Sequence, residues 1–271
     1  MILDKRQSRV QNTLKTAIYQ GRFPVNTIEA NAQHILQIAS DANTQGIELL
    51  VFPESTLTGY VTQDLLFQED FKTTVQKALQ ILQEQLPQNM WVLVGTPFYQ
   101  NQRIFNAAII FHAGAVQQVY AKQALPNQEV FDEQRYFTKG NEANVLKIKG
   151  LKIGVMICED FWVDEITTRY PKNLDTMLVI NASPFFVGKR EQRIARAKAV
   201  AKQLNTSILY AHQIGAQDEI IFDGGSFVLD AKANLLGVLP QFEERLGLLN
   251  ISKKNCELEL TTNWQDDFKL D

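Results

Sequence analysis

ANVLKIKGLKIGVMICEDFW, residues 143–162, reads as two apolar strands folded back on each other at Lys149-Gly150 and then turns abruptly polar. A glycine-bearing turn between two such runs signals a hairpin. The second run, LKIGVMI, is apolar at nearly every position, as a strand must be when both of its faces are covered. It delivers Cys158, which two carboxylates, Glu159 and Asp160, and two aromatics, Phe161 and Trp162, follow at once.

The same pattern repeats along the chain. IELLVF (47–52), WVLVGTPFY (91–99), DTMLVINAS (175–183) and TSILYAHQI (206–214) read as strands. NAAIIFHAGAVQQVYAKQ (106–123) and GGSFVLDAKANLLGVLP (224–240) read as hairpins, the second of them the last in the chain. Helical periodicity fills the gaps between them. Residues 27–45 carry Ile28, Ala32, Ile35, Leu36 and Ala39 at helical spacing and stop before Gly46, 67–86 repeat the pattern, and KREQRIARAKAVAKQLN (189–205) is a third helix. Many strands with helices between them predict an α/β fold of helix-covered sheets.

With 271 residues, 45% hydrophobic and 21% charged, the chain is long for one domain and short for two. We expect a single domain over 1–271 with its core at about 13–250, and a polar C-terminal tail over 251–271 that packs on a neighbour. A formal charge of −3 and the lack of a dense Lys/Arg block argue against a nucleic-acid partner. No apolar run approaches the roughly 18 residues of a membrane span, and MILDKRQSRVQNTLK lacks the centre of a signal peptide. The expectation is a soluble, cytoplasmic protein. Two cysteines, Cys158 and Cys256, are no disulfide framework, so Cys158 is read as a thiol.

Three strands end on reactive groups: Glu54 after LLVFP, Lys122 after QVYA and Cys158 after IGVMI. Ligands of helix-covered sheets bind where strands end, so the three can share a cleft. A carboxylate can take the thiol proton, and an ammonium can hold the oxyanion that a thiolate creates at a carbonyl. Taken singly, each residue has a plainer reading, as a structural cysteine or a solvated rim residue. A Cys158–His212 triad would need a histidine that lies mid-strand in LYAHQIG, with no cysteine-protease signature around Cys158. Metal catalysis finds only isolated histidines, and Cys158, Glu159 and Asp160 on one strand would point to opposite faces. Neither a metal nor a cofactor is expected.

VFPESTLTGY, AKQALPNQEVFDEQRYFTKG and GVMICEDFW resemble the Glu-Lys-Cys signature of the nitrilase superfamily, the carbon–nitrogen hydrolases. LPNQEVFDEQRYF, CEDFW, NASPFFVGKR (181–190) and QDEIIFDGGSFVLD (217–230) are closer still to the glutamine-hydrolysing domain of glutamine-dependent NAD⁺ synthetases. The likeness runs over roughly 27–245, and four motifs in order make it specific. It implies a four-layer α-β-β-α sandwich. It assigns Glu54 as general base and acid, Lys122 as oxyanion stabiliser, Cys158 as nucleophile and Glu133 as a second carboxylate positioning Lys122. Tyr60 would line the pocket, the N–H of Glu159 would be a second oxyanion donor, and Ser183 and Lys189 would contact the amino-acid substrate. Without the family, Ser183 is a cap or turn hydroxyl before Pro184, and Lys189 is a solvated first-turn residue.

Two departures stand out. Where the synthetases carry a tyrosine that helps to hold glutamine, this chain has Gln128, followed by Glu129 in place of glycine. The Ser-Gly-Gly-x-Asp-Ser loop of the ATP-pyrophosphatase half is missing; DGGS (223–226) has the wrong order. The expectations are therefore a glutaminase cut from, or free of, a synthetase that accepts its ammonia, and a homo-oligomer. The alternatives are an amidase for another small amide and a non-catalytic subunit that keeps the fold.

Overall fold

A strand that is apolar on both faces needs a covering layer on each side, and this chain supplies one with a second sheet and the other with helices. The structure, a computed structural model, describes residues 13–128, 130–253, 258–262 and 264. The first half contains β1 (Thr13–Gln20), α1 (Ile28–Thr44), β2 (Leu49–Val51), α2 (Glu69–Gln85), β3 (Trp91–Gln100), β4 (Arg103–His112), β5 (Ala115–Ala121) and α3 (Glu133–Tyr136). Next come β6 (Asn144–Ile148), β7 (Leu151–Ile157), α4 (Asp164–Thr167), β8 (Thr176–Asn181), α5 (Lys189–Leu204) and β9 (Ser207–His212). The chain continues through β10 (Ile214–Gln217), β11 (Ile220–Asp223), β12 (Phe227–Leu229), β13 (Leu235–Val238), β14 (Arg245–Ser252) and β15 (Leu258–Thr262).

Two large sheets result. One has the order β15-β14-β1-β2-β3-β4-β5, the other β13-β12-β9-β8-β7-β6, and β10-β11 form a small ribbon beside them. The middle of each is parallel: β1 with β2 and β2 with β3 in the first, β7 with β8 and β8 with β9 in the second. Period-two alternation distributes each strand between two cores. Leu49, Val51 and Leu93 meet Val155, Ile157, Leu178 and Ile180 between the sheets. Leu50, Val92 and Val94 face outward against Ile35 and Ala39 of α1 and Val75 and Leu82 of α2. Met156, Met177 and Val179 face the other way, against Ala197, Val200 and Leu204 of α5. Helix, sheet, sheet and helix are the four expected layers. Among the described residues no helix is long and apolar enough to cross a membrane.

The C-terminal expectations need correction. The hairpin at 224–240 is not the last: β14 follows and pairs antiparallel with β1 along its whole length, from Thr13↔Ser252 to Gln20↔Arg245. The described part of the expected tail is a strand as well, since β15 extends the same sheet beyond β14. Trp264 donates its indole N–H to the Leu248 carbonyl at 2.9 Å, and its ring lies where a side chain at position 247 would stand. Gly247 leaves that space open. Cys256 lies outside the described residues.

Gly95 on β3 passes under the loop that carries Glu54. A methyl there would stand 2.3 Å from the Pro53 carbonyl oxygen, 2.5 Å from the Ser55 nitrogen and 2.7 Å from the Glu54 Cα. These are backbone atoms and cannot rotate away. Gly95→Ala is expected to destabilise the fold by about 1–3 kcal/mol, as overpacking of a rigid site does, and to displace Glu54. Thermal melts together with turnover check it: both fall, or the loop is softer than the packing shows.

Candidate active site

The reactive side chains converge at the strand ends. Glu54 follows β2, Lys122 follows β5, and Cys158 follows β7, where the chain bends into a 3-10 turn over Cys158–Trp162. Cys158 takes a φ of 45°, and Ser55, next to Glu54, a φ of 52°. Left-handed backbone at non-glycine residues is uncommon, and it gathers at functional sites. The turn also corrects the expectation that Cys158, Glu159 and Asp160 alternate along a strand.

Buried hydrogen bonds join most of the set. The Lys122 ammonium lies 2.9 Å from Glu54 Oε1 and 2.8 Å from Glu133 Oε1. Tyr60 donates its hydroxyl to Glu133 Oε1 at 2.7 Å. Asn106 Nδ2 donates to Glu54 Oε1 at 2.8 Å, and the Ala182 N–H donates to Glu54 Oε2 at 2.8 Å. Glu54, Lys122, Glu133, Tyr60 and the free thiol Cys158 are all buried. Nothing here is a solvated rim.

Burial shapes the protonation states. Alone it would drive the Lys122 ammonium toward neutrality, but Glu133 and Glu54 overcome it and keep the lysine charged above its ordinary range. Burial, and then the Glu54 charge, raise the Cys158 thiol well above its usual value, with Lys122 pulling the other way. Burial pushes the Glu133 carboxyl up to about 7 against the pull of Lys122. The resting site therefore holds a neutral thiol beside an ammonium, with a Glu133 carboxyl that can exchange a proton near neutral pH.

Other expected residues fall around this centre. Gln128 is exposed, and with the half-buried Glu159 it lines a groove of about 540 Å³ bounded by Gln123–Gln128, Lys139–Asn141 and Arg169. Glu129 lies outside the described residues. Lys189, half-buried at the start of α5, sets its ammonium 4.8 Å from the centre of the Trp162 ring and 5.0 Å from that of Phe186, a cation–π placement and not a free surface lysine. Ser183 is neither cap nor turn hydroxyl: it is buried, with its Oγ 3.1 Å from His212 Nε2. His212 itself ends β9 and is not mid-strand. It faces Ser183, with Nδ1 2.8 Å from the Gln213 carbonyl oxygen, so it forms no triad with Cys158. Among the described residues no group of three or more His, Cys, Asp or Glu stands together as a metal site.

The Carbon-nitrogen hydrolase family matches residues 15–264, a span that contains every one of these side chains. The chain belongs to this family. Among the relatives of this carbon–nitrogen hydrolase, the glutamine-dependent NAD(+) synthetase of Acinetobacter baylyi is 37% identical over 235 residues, 86% of this chain and 43% of that protein. A solved glutamine-dependent NAD+ synthetase from Acinetobacter baumannii superposes with a TM-score of 0.88 at 34% identity, over 92% of this chain and 48% of that one. An amidase from Nesterenkonia sp. AN1, solved with the acetamide moiety of fluoroacetamide added covalently at its active-site cysteine, shares the fold at a TM-score of 0.78 and 21% identity, over 92% of this chain and 94% of that one. The chain spans less than half the length of the two synthetases.

Sequence reasoning missed Asn106, Ala182 and Asp160. Asn106 had a signal, a lone carboxamide inside the apolar RIFNAAIIFH. A backbone donor such as Ala182 has none. His212 generates a prediction about pH. Burial, and then the Arg193 charge, lower its imidazole from 6.5 to about 3. The unfolded chain takes a proton there below about 6.5 and the folded chain only below about 3, so stability declines as the pH falls through that window. His212→Gln is expected to flatten that decline between pH 7 and 4, read from melting temperature against pH.

Proposed function

We propose that this carbon–nitrogen hydrolase cleaves the side-chain amide of glutamine to glutamate and ammonia through a thioester on Cys158, and that the ammonia serves NAD⁺ synthesis. The observation that carries this reading is the buried chain Tyr60–Glu133–Lys122–Glu54, closed around Cys158, in a chain 37% identical to a glutamine-dependent NAD(+) synthetase.

In this reading the thiol gives its proton to Glu54 as sulfur attacks the amide carbon. The oxyanion develops toward the Lys122 ammonium and the Glu159 N–H. Glu54 passes the proton to the leaving nitrogen, and ammonia departs. Water, deprotonated by Glu54, then adds to the thioester, and glutamate leaves as the thiol regains its proton. Glu133 holds Lys122 in place, while Tyr60, Ser183 and Lys189 frame the amino-acid portion of the substrate. The acceptor is an ammonia-consuming synthetase domain or subunit, of the kind that occupies the rest of the longer relatives. The reading carries with it self-association, which is common among members of this superfamily, and a cytoplasmic setting.

One observation favours a second reading. Gln128 stands exposed on the groove where the synthetases carry a tyrosine, so the pocket lacks that aromatic wall and can suit another small amide.

Ammonia release from L-glutamine, L-asparagine and a panel of short aliphatic amides separates the two. Glutamine turnover is expected, and Cys158→Ala is expected to bring it to background without unfolding the chain. Release from an aliphatic amide alone establishes the second reading. Release from no amide, with or without an added synthetase, defeats both and leaves a binding subunit.

A further inference from the structure

The Lys122 and Cys158 side chains belong to different sheets. Lys122 follows β5 of the first, and Cys158 follows β7 of the second. No ladder hydrogen bond runs between sheets that pack face to face, so apolar packing sets their spacing while no directional ladder bond sets one strand-end loop against another. The ammonium and the thiol nevertheless have to be held within a few tenths of an ångström for chemistry.

One fully buried carboxylate spans the gap. Asp160 Oδ1 accepts the N–H of Gln123 at 2.8 Å and of Ala124 at 2.6 Å, the two residues that follow Lys122. Its Oδ2 accepts the Tyr120 hydroxyl at 2.7 Å, two residues before Lys122, and the N–H of Ile157 at 3.2 Å, the residue before Cys158. Gln123 ties the belt further, donating to Tyr120 Oη at 3.0 Å and accepting from Arg169 at 2.5 Å. We propose that Asp160 is a positioning residue, whose carboxylate clamps the backbone after Lys122 and the Tyr120 hydroxyl before it to the backbone at Cys158, and so sets the ammonium against the thiol. The proposal rests on the reading of Lys122 and Cys158 as oxyanion stabiliser and nucleophile.

The cost of the group supports a positional role. Burial pushes the Asp160 carboxyl up to about 6 despite its four donors. Its folded value lies above the unfolded one, so any stabilisation is greatest with the proton on and is lost as the pH rises through about 6. At neutral pH ionising the clamp costs more in the folded chain than in the unfolded one, so the four donors offset only part of the burial. Position is what the carboxylate supplies.

A double-mutant cycle on the full chain tests this, with Asp160→Asn and Lys122→Gln singly and together. Asparagine keeps one oxygen for the Gln123 and Ala124 N–H groups but turns an NH₂ toward Ile157. Two rates are read: ammonia release from glutamine, with kcat and KM separated, and alkylation of Cys158 by iodoacetamide, resolved from Cys256 by peptide mass spectrometry. Asp160→Asn is expected to lower kcat about tenfold or more with KM nearly unchanged, and to alter either rate by less than about threefold once Lys122 is already gone. Equal factors in both backgrounds, or native rates in a cooperatively melting Asp160→Asn protein, overturn the proposal. Should Asp160→Asn fail to fold, Tyr120→Phe, which removes one of the four donors, takes its place in the cycle under the same criteria. If the parent chain releases ammonia from no amide, the glutaminase reading fails, and the alkylation cycle still decides the role of Asp160.

Discussion

Everything at the site depends on one buried cation. The Lys122 ammonium, 1% exposed, sits between Glu54 and Glu133, and a charge taken this far from water is tolerable only while its partners stay in contact. Removing either carboxylate would leave the ammonium with a single acidic partner and a buried donor short of its acceptor. The partners come from separate parts of the chain: Glu54 from the loop after β2 and Glu133 from α3. The loops of the first sheet are therefore locked to one another by charge, and the second sheet joins through the Ala182 N–H bonded to Glu54. The Glu54 carboxylate of one layer is thus bonded to the backbone of the other.

Packing makes that arrangement possible. Each central strand contributes alternate residues to two cores, so the inner faces fix the spacing between sheets while α1, α2 and α5 press on the outer ones. The parallel strands all release their chain at the same end, where loops need not satisfy a ladder and can carry reactive groups. Arg193 of α5 extends the same logic outward. It bonds Asp223 at 2.8 Å and the Ser183 and Pro184 carbonyl oxygens at 3.2 Å, so the loop that offers Ala182 to Glu54 is itself held from behind.

The fold was legible where a signal is local. Apolar runs with period two or 3.6 located β2 to β9, β12, β13 and the three long helices, though not β1 or the short α3 and α4, and a polar residue stopping such a run marked Glu54, Lys122 and Cys158. What escaped depends on partners distant in sequence. RLGLLNIS (β14) shows a weak alternation interrupted by Gly247, and only pairing with β1, at the opposite end of the chain, makes it a strand. The β10–β11 ribbon went unassigned because its strands, IGAQ and IIFD, are four residues each and too short to show a period. Asp160 looked like one more charge after the cysteine. Its function as an acceptor emerges only when the Lys122 loop arrives from the other sheet. Ser183 and His212 were each noticed, but nothing in the sequence showed that they face one another.

The alternation in β7 has a consequence for how this site can change over generations. Val155 and Ile157 point between the sheets and Met156 points to α5, so a one-residue insertion or deletion within the strand would exchange the two cores wholesale and turn the thiol to the opposite face. The address of Cys158 is thus discrete and not adjustable by small steps. Variation in what the enzyme accepts is confined to the loops and to the outer groove around Gln128, where residues can be exchanged, added or lost without disturbing the count of residues that leads to Cys158.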